Sequence, residues 1–298
     1  MSDRAGTAGV VGLGTMGGAM TATLRRAGWD VVCTDPVDAA RDAAAATGAR
    51  PLADAAAVAA LADVVILSLP DATIVNAVID GPGGIAASAR RGLTVVDTST
   101  LAPADARAIG AKLAALGIGY LDTPVSGGPG GAVKGTLSVM VGGTPEDLER
   151  ARAVLETIGS RVVRCGDVGA GSVAKACNQL IVVATIGAVA EALAIADASG
   201  VDPAAVREAL LGGWAASSIL DLHGARMVSG DWVPGGRAAF HLKDVDTLAA
   251  LTAATGVHTA VFDAAAGYIR SLVERGGGEL DHSAVYTIVR GATPAPAG

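Results

Sequence analysis

One lone cation near the start of a long apolar run is the residue in this sequence best suited to moving a proton. In "GDVGAGSVAKACNQLIVVATIGAVAEAL", residues 166–193, Lys175 is followed by Asn178 and Gln179, and no further charge comes before Glu191. The pattern predicts a helix from about Ser172 to Ser199, whose formal charges are Lys175, Glu191 and Asp197. A helix this apolar is expected to be buried on most faces. A cation in its first turn opposes the helix macrodipole, so electrostatics would not choose it for stability. The same field, with partial burial, lowers the affinity of a lysine for its proton, which suits an acid or base working near neutral pH. Asn178 at i+3 and Gln179 at i+4 share its face, and Asn178 can orient a substrate oxygen or the lysine itself. A surface lysine snorkelling off the helix start fits the same residues equally well.

Two further clusters could hold a ligand. Ser126, Gly127 and Gly128 lie in "GYLDTPVSGGPGGAVKGTLSVMVGG" and offer a hydroxyl with closely spaced backbone N–H groups, a set that can hold a carboxylate. Composition alone favours a flexible glycine-rich loop between two strands there. Near the N-terminus, Gly12, Leu13, Gly14, Thr15, Met16 and Gly17 spell G-x-G-x-x-G. Such glycines permit a tight turn, close approach of a pyrophosphate, and close packing of helix on strand.

The elements around these clusters alternate in type. Val10 and Val11 end a buried strand, residues 19–27 can be helical, and "WDVVCTD" is a second strand ending at Asp35. An acidic residue about 20 positions past the glycines can bond a ribose 2′-OH, so Asp35 favours NAD over NADP. Asp35 could instead open a turn before Pro36, and Arg41 keeps a 2′-phosphate in play. "ADVVILSLP" and "LTVVDTST" read as further buried strands. Their ends fall at the carboxyl edge of a parallel sheet, where open α/β sheets bind ligands. Leu69 and Pro70 could pack on a cofactor there and Thr100 could bond it; ordinary strand-end turns account for them as well.

The bulk numbers are consistent with an α/β chain. Of 298 residues, 51% are hydrophobic and 17% charged, which argues against disorder. A net charge of −7 without a basic stripe argues against a nucleic-acid partner. The N-terminus lacks signal-peptide organisation, and the uncharged run from Leu180 to Ala190 is too short to span a bilayer. A cytoplasmic protein is therefore expected. Three scattered cysteines suggest no disulfide framework or zinc site, and four histidines show no ligand spacing, so no metal is expected.

Together these residues resemble the β-hydroxyacid dehydrogenase family, which includes 3-hydroxyisobutyrate dehydrogenase and 2-hydroxy-3-oxopropionate (tartronate semialdehyde) reductase. The segments that carry the resemblance are "VGLGTMGGAM", "LSLPD", "VDTSTLAP", "DTPVSGGPGGAVKGTLSVMVGG", "GDVGAGSVAKACNQ" and "FHLKD". It implies Lys175 as catalytic residue, Asn178 as its substrate-orienting neighbour, Ser126-Gly127-Gly128 as the carboxylate site, and Lys243 near the nicotinamide. Without it, Lys243 before Asp244 reads as a surface ion pair. It further implies a Rossmann-type α/β domain over 1–165, a long interdomain helix opening an all-helical domain over 166–290, and a tail, 291–298, expected to be disordered.

So much Ala, Leu and Val in a helical half implies a partner copy, a homodimer or homotetramer. The expected chemistry is NAD(P)-dependent hydride transfer on a short 3-hydroxy acid or its semialdehyde. "GGWAASSILDLHGARM" and "DHSAV" lean toward the tartronate semialdehyde branch. Trp214, Gly236 and the absence of proline in "GVHTAVFDAA" depart from that branch and leave the substrate open. Rival readings are an imine reductase, a decarboxylating sugar-phosphate dehydrogenase, for which no phosphate-binding basic cluster is present, and a catalytically silent dinucleotide-binding protein.

Overall fold

Short apolar runs rich in valine, each closed by turn residues, give the first half its sheet. The computed structural model describes residues 6–88 and 90–292; the tail expected to be disordered lies outside the described residues from Thr293 onward. The strands are β1 (Thr7–Val11), β2 (Asp30–Thr34), β3 (Arg50–Pro51), β4 (Val64–Leu67), β5 (Thr94–Asp97), β6 (Gly119–Asp122), β7 (Val125–Ser126), β8 (Leu137–Gly142) and β9 (Gly159–Gly166). Their order is β3-β2-β1-β4-β5-β6-β8-β7, with β9 on β8. The first six are parallel throughout; β8 runs antiparallel to β6 and β7. The 3-2-1-4-5-6 portion is the Rossmann order, and its order reverses between β1 and β4, where such sheets leave a crevice for a dinucleotide.

The chain divides into two compact units, one through Lys175 and one from Ala176. In the first, the sheet is covered on both faces. One core gathers Val10, Met20, Leu24, Val139, Leu155 and Ile158; the other gathers Val58, Val65, Ile79, Val95, Ile109 and Leu113. The second unit is helical. Val183, Ile186, Ala190 and Leu193 of the helix Ala170–Ala198 pack there with Phe262, Ala266 and Ile269 of the helix Ala260–Leu272.

Two expectations need correction. The run Gly128–Lys134 is a helix, not a loop between strands. Pro129 in its first turn fixes a helical φ, Gly135 closes it in the left-handed region at φ +68, and Ala132 is buried beneath it. The Ala132 carbonyl also accepts a hydrogen bond from Thr23 Oγ1 at 2.8 Å, which fastens this turn to the helix Thr15–Arg26. The helix Ala170–Ala198 begins earlier than predicted, so Lys175 lies in its second turn rather than its first. At 29 residues it is long and apolar enough to cross a membrane by length and composition, unlike the shorter run read from the sequence. Its buried face is the one that packs in the helical core.

Candidate active site

The glycine-rich turn sits at the carboxyl edge of β1. Gly12 has φ +90, and a Cβ there would lie 2.4 Å from the Ser68 carbonyl oxygen at the end of β4. A Cβ on Gly17 would lie 1.8 Å from the Gly12 carbonyl oxygen, so only glycine lets the helix Thr15–Arg26 start this close to the strand. Gly14 is different: its Cβ position meets nothing within 4 Å. It is the N-cap residue and offers no side chain to the first-turn N–H groups. Those donors and the open space above Gly14 suit an anionic ligand. Thr15 opens the helix and is exposed, while Met16 packs partly on the core.

Asp35 follows β2 and turns back toward this loop. Its Oδ2 accepts from Leu13 N at 2.7 Å and its Oδ1 from Val37 N at 2.8 Å. Arg41 donates to the Asp35 carbonyl oxygen and pairs with Asp38. Further along the same edge, Leu69 N donates to Ser99 Oγ at 3.0 Å, and Thr98 Oγ1 donates to the Leu67 carbonyl at 2.7 Å. Pro70 is exposed and Thr100 half-buried at these strand ends. The residues expected to hold a dinucleotide in the first unit thus share one edge of one sheet.

The lysine and the Ser-Gly-Gly turn come together although they are about fifty positions apart. Lys175 Nζ donates to the Val125 carbonyl oxygen at 3.0 Å, and Val125 immediately precedes Ser126. Ser126 pairs with Ser138 of β8, which fixes the turn's entry. Gly127 and Gly128 have φ +129 and +61, a sequence of left-handed backbone that needs glycine twice and leaves both residues exposed.

The group that positions Lys175 was not legible in the sequence. Asp122, at the end of β6, is 2% exposed and grips the start of the helix Ala170–Ala198. Its Oδ1 accepts from Gly169 N at 2.7 Å; its Oδ2 accepts from Ser172 N at 2.7 Å and Ser172 Oγ at 3.0 Å. This is a helix cap delivered from 47 residues away, so no local spacing announces it. Burial pushes the Asp122 carboxyl up against the pull of these hydrogen bonds. Its neighbour Asp97 is also buried and is pushed up to about 6 by burial, with Ser99 and Tyr120 donating to it.

In the second unit, Asn178 Nδ2 donates to Gln179 Oε1 at 2.8 Å, and Gln179 Nε2 donates to Asp244 Oδ2 at 2.6 Å. Lys243 is exposed on the helix Ala238–Thr255. The same unit gathers histidines that showed no spacing in the sequence. His223, Asp281 and His282 place their ligand atoms within 4.8 Å of one another. Asp281 already accepts from Gly235 N, Gly236 N, Ser283 N and Ser283 Oγ, with Arg226 at 3.5 Å. That carboxylate is saturated by donors and beside a fixed cation, which makes the cluster a poor cation site and a good buried tie. Burial lowers the proton affinity of His282, to a pKa of about 4.

Comparison with known proteins agrees with this geometry. Residues 7–166 match the model for the NAD-binding domain of 6-phosphogluconate dehydrogenase. Residues 169–289 match the model described as NAD-binding of NADP-dependent 3-hydroxyisobutyrate dehydrogenase. The 2-hydroxy-3-oxopropionate reductase of Escherichia coli K12 is 36% identical over 277 residues, 93% of this chain and 94% of that protein. A solved 3-hydroxyisobutyrate dehydrogenase from Salmonella typhimurium is 31% identical with a TM-score of 0.87, covering 95% of this chain and all of that one. The Mycobacterium tuberculosis 3-hydroxyisobutyrate dehydrogenase, solved with L-serine, is 33% identical with a TM-score of 0.86, covering 96% and 99%. With a Rossmann-order sheet, a G-x-G-x-x-G turn at the carboxyl edge of its first strand and matches along nearly its whole length, the chain belongs to the β-hydroxyacid dehydrogenase family of NAD(P)-dependent oxidoreductases.

Proposed function

We propose that this enzyme interconverts a short 3-hydroxy acid and its semialdehyde, with Lys175 as general acid and base. The observation that carries the reading is the hydrogen bond from Lys175 Nζ to the carbonyl just before Ser126-Gly127-Gly128. It puts a proton carrier beside a turn with a hydroxyl and backbone donors, so carboxylate and reacting oxygen must lie close together on a short substrate. NAD(P), when bound, supplies or accepts the hydride. Gly12, Leu13, Gly14, Thr15, Met16 and Gly17 would hold its pyrophosphate. Asp35 would hold the ribose 2′-OH, with Leu69, Pro70 and Thr100 along the strand ends and Lys243 toward the nicotinamide.

Ser126, Gly127 and Gly128 anchor the carboxylate and so orient the reacting carbon. Lys175 gives its proton to the carbonyl oxygen in reduction and takes the alcohol proton in oxidation. Asn178, a turn further along the same helix, helps to orient these groups. NAD is the preferred cofactor, because a carboxylate at Asp35 repels a 2′-phosphate and Arg41 is already engaged by Asp38. The pair tartronate semialdehyde and D-glycerate ranks first among substrates, on the likeness to the E. coli reductase; 3-hydroxyisobutyrate and serine-like acids follow. The same reading places the enzyme in the cytoplasm as a homodimer or homotetramer, consistent with Ile181 and Ile195 standing 63% and 67% exposed on the long helix.

The test is an NAD(P)-linked turnover panel in which each acid is compared with its amide or methyl ester. Replacing the carboxylate leaves its donors unpaired and should cost several kcal/mol in kcat/KM. If a neutral alcohol or a cyclic imine is turned over as well as any acid, the carboxylate anchor is wrong and an imine reductase becomes the better description.

A further inference from the structure

A primary amide has a donor end and an acceptor end, and something must decide which end Asn178 presents. The neighbouring hydrogen bonds make that decision. Gln179 Nε2 donates to Asp244 Oδ2 at 2.6 Å. A carboxylate only accepts, so the Gln179 amide cannot turn its oxygen toward Asp244. Its Oε1 therefore faces the other way and accepts from Asn178 Nδ2 at 2.8 Å. With its nitrogen held by Gln179, Asn178 keeps Oδ1 as the atom available to a donor. We propose that Asp244 is a positioning residue that fixes the polarity of Asn178 through Gln179, so that Asn178 works as a hydrogen-bond acceptor.

The inference rests on the functional reading above and sharpens it. A general-base lysine must present a lone pair to the substrate hydroxyl, so its own N–H groups need acceptors elsewhere. The Val125 carbonyl is one such acceptor. An acceptor-oriented Asn178 adds the same kind of group one turn along the helix, for the lysine or for a second donor on the substrate. An Asn178 that presented its NH2 would instead compete for the lone pair. The chain of two hydrogen bonds thus selects the useful one of two nearly isosteric amide orientations.

The test moves the acceptor-only end of the chain by one residue. Asp244→Asn lets either end of the new amide face Gln179 and removes the constraint. Gln179→Glu sets two carboxylates against each other. In the double variant Gln179→Glu/Asp244→Asn, the carboxylate now at position 179 accepts from both Asn178 Nδ2 and the new amide at position 244. This restores the original polarity at unchanged net charge. Asp244→Asn should lose about tenfold or more in kcat, the effect of one misdirected hydrogen bond; Gln179→Glu should lose as much because repulsion from Asp244 drives its carboxylate away from Asn178 Nδ2; and the double should return to within about threefold of wild type.

In the intact protein, NMR exchange of the Asn178 side-chain amide protons gives a readout independent of turnover. Those protons should be protected in wild type and in the double variant, and should exchange about tenfold faster in Asp244→Asn, as expected for the loss of one hydrogen bond. A double variant no better than the single variants, or an Asp244→Asn variant like wild type in both measurements, overturns the proposal. If wild type turns over no 3-hydroxy acid, the functional reading fails by itself, and the amide exchange still decides the polarity chain.

Discussion

The two glycines that frame the start of the helix Thr15–Arg26 should fail in opposite ways when each is given a methyl group. At Gly17 the new Cβ would stand 1.8 Å from the Gly12 carbonyl oxygen, 2.9 Å from its carbon and 3.2 Å from Ser68 Cβ. Contacts of real Cβ atoms essentially never fall under 3.0 Å, so helix and loop must separate by more than 1 Å against backbone that cannot rotate away. Overpacking of this kind costs about 1–3 kcal/mol. For a unit of this size that lowers Tm by roughly 2–4 °C per kcal/mol. At Gly14 the backbone has φ −61 and the Cβ meets nothing, so Ala should leave stability within about 1 kcal/mol; the poorer N-cap offsets the stiffer unfolded chain. The methyl would instead fill the space in which a pyrophosphate approaches the first-turn N–H groups. Differential scanning fluorimetry and calorimetric titration with NAD and NADH separate the two effects. Gly17→Ala should lose stability; Gly14→Ala should keep its Tm and weaken cofactor binding by about tenfold or more. A Gly17→Ala variant as stable as wild type would refute the packing argument. A Gly14→Ala variant that binds cofactor normally would show that the phosphates take another path.

Lys175→Ala should bind cofactor normally and lose about 10²–10⁴ in kcat, the usual share of positioned proton transfer, checked by steady-state kinetics beside a cofactor titration; near wild-type kcat would remove the lysine from the mechanism. Wild type should prefer NAD by kcat/KM. Asp35→Ala should narrow that preference and weaken both cofactors, because Leu13 N loses its acceptor; a wild type that prefers NADP would shift the 2′-site to Arg41. The folded state holds His282 neutral down to about pH 4, whereas the unfolded chain protonates near 6.5. The unfolded state therefore binds more protons in between, so stability is complete above about pH 6.5 and is lost as pH falls toward about 4. The loss is about 2 kcal/mol at about pH 5. Buried Asp97 opposes this loss over the same range, so the His282 contribution is read as the difference between wild type and His282→Gln in urea midpoints at about pH 7 and 5; equal changes in both would contradict the burial argument.

The cofactor half was readable because its signals are local. A valine run, a glycine turn and a helix succeed one another over a short stretch, and Asp35 then falls at the expected strand end. The meeting of Lys175 with Val125 is a matter of topology: β6 and β7 must deliver one partner and the long helix the other, and no period or spacing encodes that. Asp122 is hidden for the same reason, since "YLDTP" reads as an ordinary strand end. The stretch "GGPGGAVKG" reads as a loop because its glycines outweigh the helix signals of Pro129 and Gly135. Burial of Ala132 and its tie to Thr23 decide that conformation. The histidine cluster is assembled from the helix Ser218–Ser229 and a short turn near residue 282, separated by 59 positions from His223 to His282.

The grip of Asp122 on the first turn of the long helix also tells where this chain can be recombined with its relatives. The two matched family models meet between residues 166 and 169, which invites a crossover there. A hybrid cut at that point would take Asp122 from one parent and Ser172 from the other. It would also require the second parent to have glycine at 171, where a Cβ would lie 2.3 Å from the Asp122 carbonyl oxygen and 2.5 Å from that of Met140. Moving the cut past Lys175 keeps the carboxylate, its three donors and Lys175 itself in one inherited block. Shuffled libraries built on the later seam should therefore retain folded, active members far more often than those built on the earlier one.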